Sequence, residues 1–161
     1  MNDYVDETVA HIDRSELPQW ISDHVRTYQE SDGKEGHYWD ATAVGGSGPV
    51  PCLLLTTVGR RSGKATTHPL VYGRDGDRYV IVGSKGGADT HPQWYFNLRA
   101  APTVDVQVGP ERFTATATLA AGDERRRLWS LMTRVCPPYE DYQAKTQREI
   151  PIFVLQRHRN D

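Results

Sequence analysis

The fold is decided by residues 52–87, which read CLLLTTVGRRSGKATTHPLVYGRDGDRYVIVGSKGG. Three apolar runs stand in this stretch, at residues 52–57, 66–72 and 78–82, and glycine-containing turns separate them. Apolar runs of about four to eight residues bounded by turn residues are typical of β-strands. The first run is continuous, as expected for a strand buried on both faces. Asp75-Gly76, between the second and third runs, is a strong hairpin signal.

Further strands are predicted along the rest of the chain. Apolar and polar residues alternate over residues 104–108 and 113–119, with Gly109-Pro110 as the turn between them, and residues 150–155 form a closing apolar run. Strict alternation indicates strands with one buried face. About six mostly antiparallel strands, interrupted by helices, predict an α+β fold. We expect a small closed or half-open β-barrel with helices packed outside.

Helical periodicity predicts three helices. The first starts from Ser15, a candidate N-cap, and the second covers residues 94–99. The third starts at Asp123, which is a candidate cap. The apolar faces of the first and third helices consist of Leu17, Trp20, Ile21, Val25 and Tyr28, and of Leu128, Leu131, Met132 and Val135.

A glycine-rich segment, residues 45–49, separates the first helix from the strands. Glycine, serine and proline in succession are typical of a hinge or loop. We therefore expect an N-terminal arm over residues 1–48 and a barrel domain that binds a cofactor over residues 49–161.

The composition indicates an intracellular protein with one sizeable core. The chain has 161 residues, including four Trp and eight Tyr, and its formal net charge of −2 disfavours nucleic-acid binding. Cys52 and Cys136 fit reduced thiols better than a disulfide framework. The sequence shows no signal-peptide pattern and no apolar run of about 20 residues. We expect a cytoplasmic protein, with peripheral membrane contact left open.

Two cationic, glycine-bounded loops follow strand-like runs and are the strongest functional signal. Residues 59–64 hold three cations in five residues, and residues 83–87 read GSKGG. Glycine lets the backbone approach a ligand closely, while Arg or Lys supplies charge-assisted hydrogen bonds, so the loops suit an anionic, phosphate-bearing ligand. The GxxxxGK[ST] spacing of a P-loop is absent. The alternative is an ordinary hairpin turn with solvated cations and an ordinary strand-to-helix connection.

Motifs for hydrolytic, covalent and metal chemistry are absent from the sequence. The six histidines lack the spacing of a zinc site, so we predict no bound metal. No GxSxG motif occurs, and neither cysteine lies in a recognised nucleophile motif. Tyr139 and Tyr142 lie on a segment that reads as exposed. They are either ordinary surface residues or, if they face the loops, donors of a hydrogen bond or proton to a reduced substrate oxygen.

Taken in order, the motifs resemble those of the deazaflavin (F420)-dependent nitroreductase and quinone reductase family. The resemblance spans residues 20–155, nearly the whole chain, and the ordered set is far more specific than any single motif. The motifs that carry it are LLTTxGRRSGK (54–64), HPL (68–70), DGDRY (75–79), SKGG (84–87), HPxWYxNL (91–98), YxxYQ (139–143) and RxIP (148–151).

The resemblance implies a split β-barrel that binds coenzyme F420 and uses its reduced form to reduce quinones, activated alkenes or nitro compounds. F420 carries a phosphodiester and an oligoglutamate tail, so it is strongly anionic. By resemblance, the phosphate and tail would be held by Arg60, Arg61, Ser62, Gly63 and Lys64. The deazaflavin ring would be lined by Pro69, Ser84, Lys85, Gly86, Gly87, Trp94 and Asn97. The acceptor would be oriented, or charge on its oxygen stabilised, by Ser84, Tyr139 and Tyr142.

Two alternatives remain open from the residues. The same barrel could bind FMN, which also has a phosphate and a tricyclic ring, although positive charge extending beyond one phosphate favours the longer anionic tail of F420. The second alternative is a protein that binds or stores F420 without turnover. The expected partner is a small-molecule electron acceptor such as a quinone, with no nucleic acid, and the protein is expected to be a monomer or a homodimer.

Two regions are less well fixed by the resemblance. Members with quinone and nitroimidazole activity tend to have a tyrosine three residues before the one that matches Tyr139, and this chain has Cys136 there. The acceptor pocket is therefore altered, and nitro-prodrug activation is not carried over. The N-terminal arm carries few motifs. Its apolar face is expected to pack on the barrel, with closure over the site or contact with a membrane as alternatives.

Overall fold

The computed structural model describes residues 19–46 and 48–159. Four α-helices lie within these residues: α1 (Gln19–Glu30), α2 (Gln93–Ala100), α3 (Gly122–Val135) and α4 (Pro138–Ala144). The strands are β1 (Tyr38–Asp40), β2 (Pro49–Val58), β3 (Ala65–Asp75), β4 (Arg78–Val82), β5 (Thr103–Val108), β6 (Glu111–Leu119) and β7 (Ile152–Arg157). Short 3₁₀ helices cover Ala41–Val44 and Lys85–Gly87.

Six of these strands close into an antiparallel barrel. Their order is β2-β3-β4-β7-β6-β5, and β5 pairs back with β2, where Leu55 lies opposite Val106. β1 extends the sheet beyond the barrel by pairing Trp39 with Val50 of β2. Closure pairs the strand edges that an open sheet would expose and fixes which residues point inward.

Apolar residues fill the barrel and also form a second layer outside it. The interior cluster includes Leu53, Leu55, Ile81, Phe153 and Leu155, and α2 adds Trp94 and Leu98 to it. The outer cluster includes Val80, Val82, Ile152 and Val154, which α3 and α4 cover with Leu128, Met132, Tyr139 and Tyr142. Strands β4 and β7 are therefore buried on both faces, which explains their nearly continuous apolar sequences.

Tyr28 fixes α1 to the barrel. Its side chain is fully buried, and its hydroxyl donates to the carbonyl oxygen of Cys52 at 2.9 Å. The same hydroxyl accepts a hydrogen bond from the backbone N–H of Gly109 at 2.8 Å. Ile21, two helical turns earlier, is also buried. The apolar face of α1 thus packs on the barrel, as expected for the arm; the division of the chain at residue 48 stays a prediction.

The predicted strands and both predicted hairpins are confirmed, except that the last strand begins at Ile152 and not at residue 150, and two helix predictions need correction. Asp123 is not the cap of α3, which begins one residue earlier after Ala121. The Asp123 carboxylate instead pairs with Arg126 in the first turn, where acidic residues are favoured. Residues 139–143 form most of α4 and are not an exposed loop. The predicted cap Ser15 lies outside the described residues, as does Leu17.

Candidate active site

A cavity of about 60 Å³ lies where α1, β3, α4 and the end of β4 meet. Trp20 and His24 of α1 line one part of it. The other lining residues include Pro69, Ser84, Cys52, Cys136, Tyr139 and Tyr142. The cavity therefore brings together the three predicted catalytic residues, one of which, Ser84, is also a predicted ring contact, and a second predicted ring contact, Pro69.

The two tyrosines reach the cavity from one face of α4. Pro138 stands in the first helical position, where its missing N–H costs nothing, and the spacing of three residues places both tyrosines on the same face. Each is only 6% exposed, and their ring centroids lie 6.2 Å apart in an edge-to-face arrangement. The reading of this segment as exposed was wrong, because its apolar face packs on the outer layer of the barrel.

The loop after β4, residues 83–88, is folded tightly against α4. Lys85, Gly86 and Gly87 have positive φ values of 48°, 64° and 85°. A Cβ on Gly87 would lie 2.7 Å from the carbonyl oxygen of Tyr142. Only glycine permits this approach, so the double glycine of the sequence serves contact between the loop and the tyrosine-bearing helix.

The side chain of Lys85 is buried, and its ammonium group is hydrogen-bonded within the protein. It is 5% exposed, and its Nζ donates to Thr90 Oγ1 at 2.8 Å and to the carbonyl oxygen of His91 at 3.4 Å. The ammonium therefore bonds within its own segment. A direct role for Lys85, Gly86 or Gly87 at a cofactor ring stays a prediction.

The other cationic loop, residues 59–64, is the exposed hairpin between β2 and β3. Ser62 Oγ accepts the backbone N–H of Lys64 at 3.1 Å, and the N–H of Gly63 donates to the carbonyl oxygen of Gly59 at 2.9 Å. Arg61 and Lys64 are exposed and make no ion pair with any residue in 19–46 or 48–159. Their positive charge is available to a ligand.

Arg60 turns away from that pair and holds the hairpin to α2. Its guanidinium donates to Gln93 Oε1 at 3.0 Å and lies 4.9 Å from the ring centroid of Phe96. Its backbone N–H donates to Asn97 Oδ1 at 3.2 Å, and Asn97 Nδ2 donates to Thr57 Oγ1 at 3.2 Å. Arg60 and Asn97 thus lie together at one end of the barrel, where they organise the base of the hairpin.

Trp94 lies in the barrel interior, edge-on to Phe153, and is 3% exposed. Sequence reasoning grouped it with the ring contacts, and that assignment stays a prediction.

Two buried titratable groups near the site are held neutral. Burial, reinforced by the nearby Cys136, raises the pKa of the Cys52 thiol to about 12, so this thiol stays protonated at neutral pH. Burial lowers the pKa of His68 to about 4, and within the described residues its Nδ1 has no hydrogen-bond partner. Cys52 is therefore a poor nucleophile, and His68 is an uncharged core residue.

Sequence reasoning missed several residues of the site. Trp39 and His24 line the cavity without a motif that would single them out. Arg148 bonds to the loop after β4 from more than 60 residues away, although the sequence shows it only as part of a short motif. Contacts at that separation leave no local signal, so only the fold reveals them.

The residues present fit an anionic cofactor with a phosphate. The hairpin offers two exposed cations, and Gly63 there has a φ of 74° with no atom within 4 Å of a built Cβ. The open space on that side of the backbone lets a phosphate or carboxylate come close to the two cations. The exposed cations suit an anionic ligand such as F420, and their role in holding it stays a prediction.

Comparison with known proteins gives the same assignment. A family model described as F420H(2)-dependent quinone reductase matches residues 20–157. The chain is 36% identical over 154 residues to an F420H(2)-dependent quinone reductase of Mycobacterium tuberculosis, covering 88% of this chain and 99% of that protein. It is 44% identical to a solved F420-H2 dependent reductase, FDR-A, with a TM-score of 0.62 over 66% of this chain and 94% of that one.

A solved domain-swapped dimer is 38% identical to the chain, with a TM-score of 0.64 over 84% of this chain and 98% of that one. No helix among the described residues is long and apolar enough to cross a membrane. The match over residues 20–157 and the identity to full-length relatives place the chain in a family by sequence, and the barrel agrees with them. The chain belongs to the F420H(2)-dependent quinone reductase family of oxidoreductases, whose coenzyme is the deazaflavin F420.

Proposed function

We propose that this chain reduces a quinone with F420H2 and that the acceptor binds in the cavity lined by Ser84, Tyr139 and Tyr142. The observation that carries the proposal is that these three hydroxyl-bearing residues line one largely apolar cavity. Hydroxyl groups in an apolar setting bind a carbonyl oxygen more strongly than they would in water, because little solvent competes for them.

The β2–β3 hairpin holds the anionic end of the cofactor in this proposal. Arg61 and Lys64 attract the phosphate and the glutamate tail, with Ser62 and Gly63 supplying further polar contacts. Arg60 supports them from behind through its bonds to Gln93 and Asn97. The exposed charge supports F420 over FMN, since a single phosphate would leave part of it unused.

The loop after β4 and Pro69 of β3 hold the cofactor ring next to the acceptor. Both Pro69 and Ser84 line the cavity, so a ring held there would border the acceptor site. When bound, the reduced deazaflavin supplies a hydride from its C5 position. The tyrosine hydroxyls donate hydrogen bonds to the acceptor oxygen on which negative charge develops, while solvent or a tyrosine supplies the proton.

The cavity is too small for an acceptor without movement of its walls. Its 60 Å³ compares with roughly 300 Å³ or more for typical ligand pockets. Trp20 belongs to α1, which Tyr28 fixes to the barrel two helical turns further on. We infer that side chains on the cavity wall, Trp20 among them, move apart when the acceptor enters.

Cys136 changes the acceptor preference relative to members with a tyrosine at this position. It lines the same cavity, and its thiol is smaller than a phenol and a weaker hydrogen-bond donor. A quinone or an activated alkene, which presents a carbonyl oxygen to the remaining tyrosines, fits this cavity better than a nitroimidazole does. Nitro compounds are therefore the weaker acceptor class in this proposal.

The proposal also covers the oligomeric state of the protein and its contact with membranes. The 38% identical solved relative is a domain-swapped dimer, which favours the homodimer among the two states considered. The burial of Ile21 and Tyr28 favours packing of α1 on the barrel over insertion into lipid, and peripheral membrane contact stays a prediction. Light scattering on the purified protein and co-sedimentation with vesicles distinguish these cases.

The experiment that tests the function is an anaerobic assay with F420H2 and menadione, followed by the return of oxidised-deazaflavin absorbance. We expect oxidation that depends on enzyme and menadione, and slower oxidation with a nitroimidazole as acceptor. Binding of F420 without oxidation by any quinone would support the storage module instead. Reduction of menadione only when reduced FMN is supplied in place of F420H2 would overturn the cofactor assignment.

A further inference from the structure

Arg148, in the connection between α4 and β7, makes an unusually complete set of contacts with the loop after β4. Its Nε donates to the carbonyl oxygen of Ala88 at 2.7 Å, and its Nη2 donates to that of Ser84 at 2.7 Å. Its Nη1 donates to the carbonyl oxygen of Gly83 at 3.2 Å and lies 3.0 Å from His91 Nδ1. Every nitrogen of one guanidinium is thus engaged with residues 83–91.

The loop needs a partner with several hydrogen-bond donors because its backbone carbonyl oxygens point towards one another. Three consecutive residues with positive φ reverse the chain between Ser84 and Ala88, and three carbonyl oxygens of the loop converge on one point. Ser84 is 1% exposed, so water does not readily replace a lost donor there. A planar guanidinium with five donors in a fixed fork can serve all three carbonyls at once.

The backbone of Arg148 is bonded to the tyrosine-bearing helix. Gln143, the residue after Tyr142, donates from its Nε2 to the carbonyl oxygen of Arg148 at 2.7 Å. The Oε1 of Gln143 accepts from the backbone N–H of Ile150 at 2.9 Å. Arg148 therefore joins two structures directly: its side chain holds the loop that carries Ser84, and its main chain is held by α4.

We propose that Arg148 is a positioning residue that locks residues 83–88 to α4 and so sets the placement of Ser84 relative to Tyr142. The functional part of this proposal rests on the proposed function, because Ser84 and the loop are there assigned to the ring and the acceptor. The structural part stands on the contacts of the guanidinium alone. Arg148 touches neither acceptor nor reacting atoms in this account, and it acts through the loop.

His91 completes the arrangement as a neutral acceptor. Since arginine has only donors, the Nδ1 of His91 must accept from Arg148, which leaves its proton on Nε2. Its ring stacks on Tyr95 with centroids 3.9 Å apart, which fixes the orientation that presents Nδ1. Through His91, the contacts of Arg148 therefore reach from residue 83 to the residues just before α2.

The test compares Arg148→Ala with Arg125→Ala as a matched control. Arg125 is also largely buried, and its Nη2 donates to the carbonyl oxygen of Ile150 at 2.6 Å in the same connection, but it makes no bond to the loop. Hydrogen exchange of the apoprotein is measured first, at the amides of Gly87 and Ala88, whose N–H groups donate within the loop. The Kd for F420, the kcat and the KM for menadione are then measured for each variant.

We expect Arg148→Ala to speed exchange at both amides roughly tenfold or more and to weaken F420 binding by a similar factor, as expected for lost charge-assisted hydrogen bonds. It should also lower kcat, with KM for menadione changing less. Arg125→Ala should leave loop exchange and the F420 Kd near wild type even where it lowers Tm. Added guanidinium should partly restore F420 binding to Arg148→Ala and do nothing for Arg125→Ala.

Equal effects of the two variants on loop exchange would overturn the lock, because Arg148 would then be a generic structural arginine. Faster loop exchange with an unchanged F420 Kd and kcat would overturn the link from the loop to the site. A wild type that binds no F420 would overturn the proposed function. The exchange comparison would still support or overturn the lock itself.

Discussion

The two cationic, glycine-rich loops look alike in sequence and differ in the folded protein. Residues 59–64 form an exposed hairpin whose Arg61 and Lys64 face solvent. Residues 83–88 are almost entirely buried, and Lys85 bonds to its own segment. The hairpin therefore offers charge to a ligand, whereas the buried loop offers a rigid backbone. Two loops of similar composition therefore have different physical properties, because one is exposed and the other is buried.

The largest effect that separates the loops is expected from adding one methyl group to each. Gly87→Ala should cost roughly 2–4 kcal/mol of the free energy of unfolding, because φ is 85° and the Cβ would lie 2.7 Å from the Tyr142 carbonyl oxygen. Gly63→Ala should cost only about 1 kcal/mol, since φ is 74° but the space is open. Denaturant titrations measure both. Equal losses would contradict the difference in packing.

Acid should lower the free energy of unfolding through the buried residue His68. The exposed hairpin, residues 59–64, contains no histidine or carboxylate and should not contribute to this effect. The pKa of His68 falls from 6.5 in the unfolded chain to about 4 in the folded one, so the unfolded state binds more protons between these values. The free energy of unfolding should therefore fall by roughly 3 kcal/mol in total as the pH drops from above 6.5 to below 4, and His68 should add no further slope once it is protonated in both states.

Urea titrations across this pH range measure the effect, with His68→Leu as the test variant. The replacement faces Leu55 across the strand pair and removes the titrating group. Its slope between pH 4 and 6.5 should be clearly shallower than that of wild type. A His68→Leu slope that matches wild type would assign the acid sensitivity to other groups.

Tyr142→Phe should reduce turnover without loosening the cofactor. In the proposed function this hydroxyl bonds the oxygen on which negative charge develops, so its removal should lower kcat by roughly tenfold to a hundredfold and change F420 affinity little. Steady-state kinetics with menadione and a separate F420 titration measure the two quantities. A large loss of F420 affinity with normal kcat would place Tyr142 at the cofactor.

The smallest effect belongs to the exposed hairpin. Arg61→Ala combined with Lys64→Ala should weaken F420 binding roughly fivefold to tenfold at low salt and much less at high salt, since exposed charge pairs are screened. Its Tm should stay near wild type. Lys85→Ala is the matched comparison, because the loss of a buried, bonded ammonium should lower Tm. An F420 Kd of the double variant equal to wild type at every salt concentration would remove the hairpin from the binding site.

Most strands could be predicted because their signals are local. Runs such as residues 78–82 and the Asp75-Gly76 turn carry the hairpin within a few residues, and the structure places β4 at Arg78–Val82. Helix α4 was missed because it is short, follows one proline and begins with another, and carries charged residues among its tyrosines. Its burial depends on the outer face of β4 and β7, which no local pattern reveals.

The surroundings of the candidate site residues could not be predicted from their motifs. Arg60 and Arg61 are neighbours in a motif, yet Arg60 binds α2 while Arg61 faces solvent. The lock by Arg148 depends on carbonyl oxygens that any sequence possesses. Such contacts depend on backbone direction, which sequence patterns do not encode locally.

The most direct test of the account is a titration of the apoprotein with F420, with a deazaflavin that lacks the phosphate and glutamate tail, and with FMN, each at low and high salt. Quenching of intrinsic Trp fluorescence reports binding. We expect F420 to bind most tightly, its advantage over the truncated deazaflavin to shrink as salt rises, and FMN to bind more weakly. Equal affinity for F420 and the truncated deazaflavin, or tighter binding of FMN, would contradict this expectation.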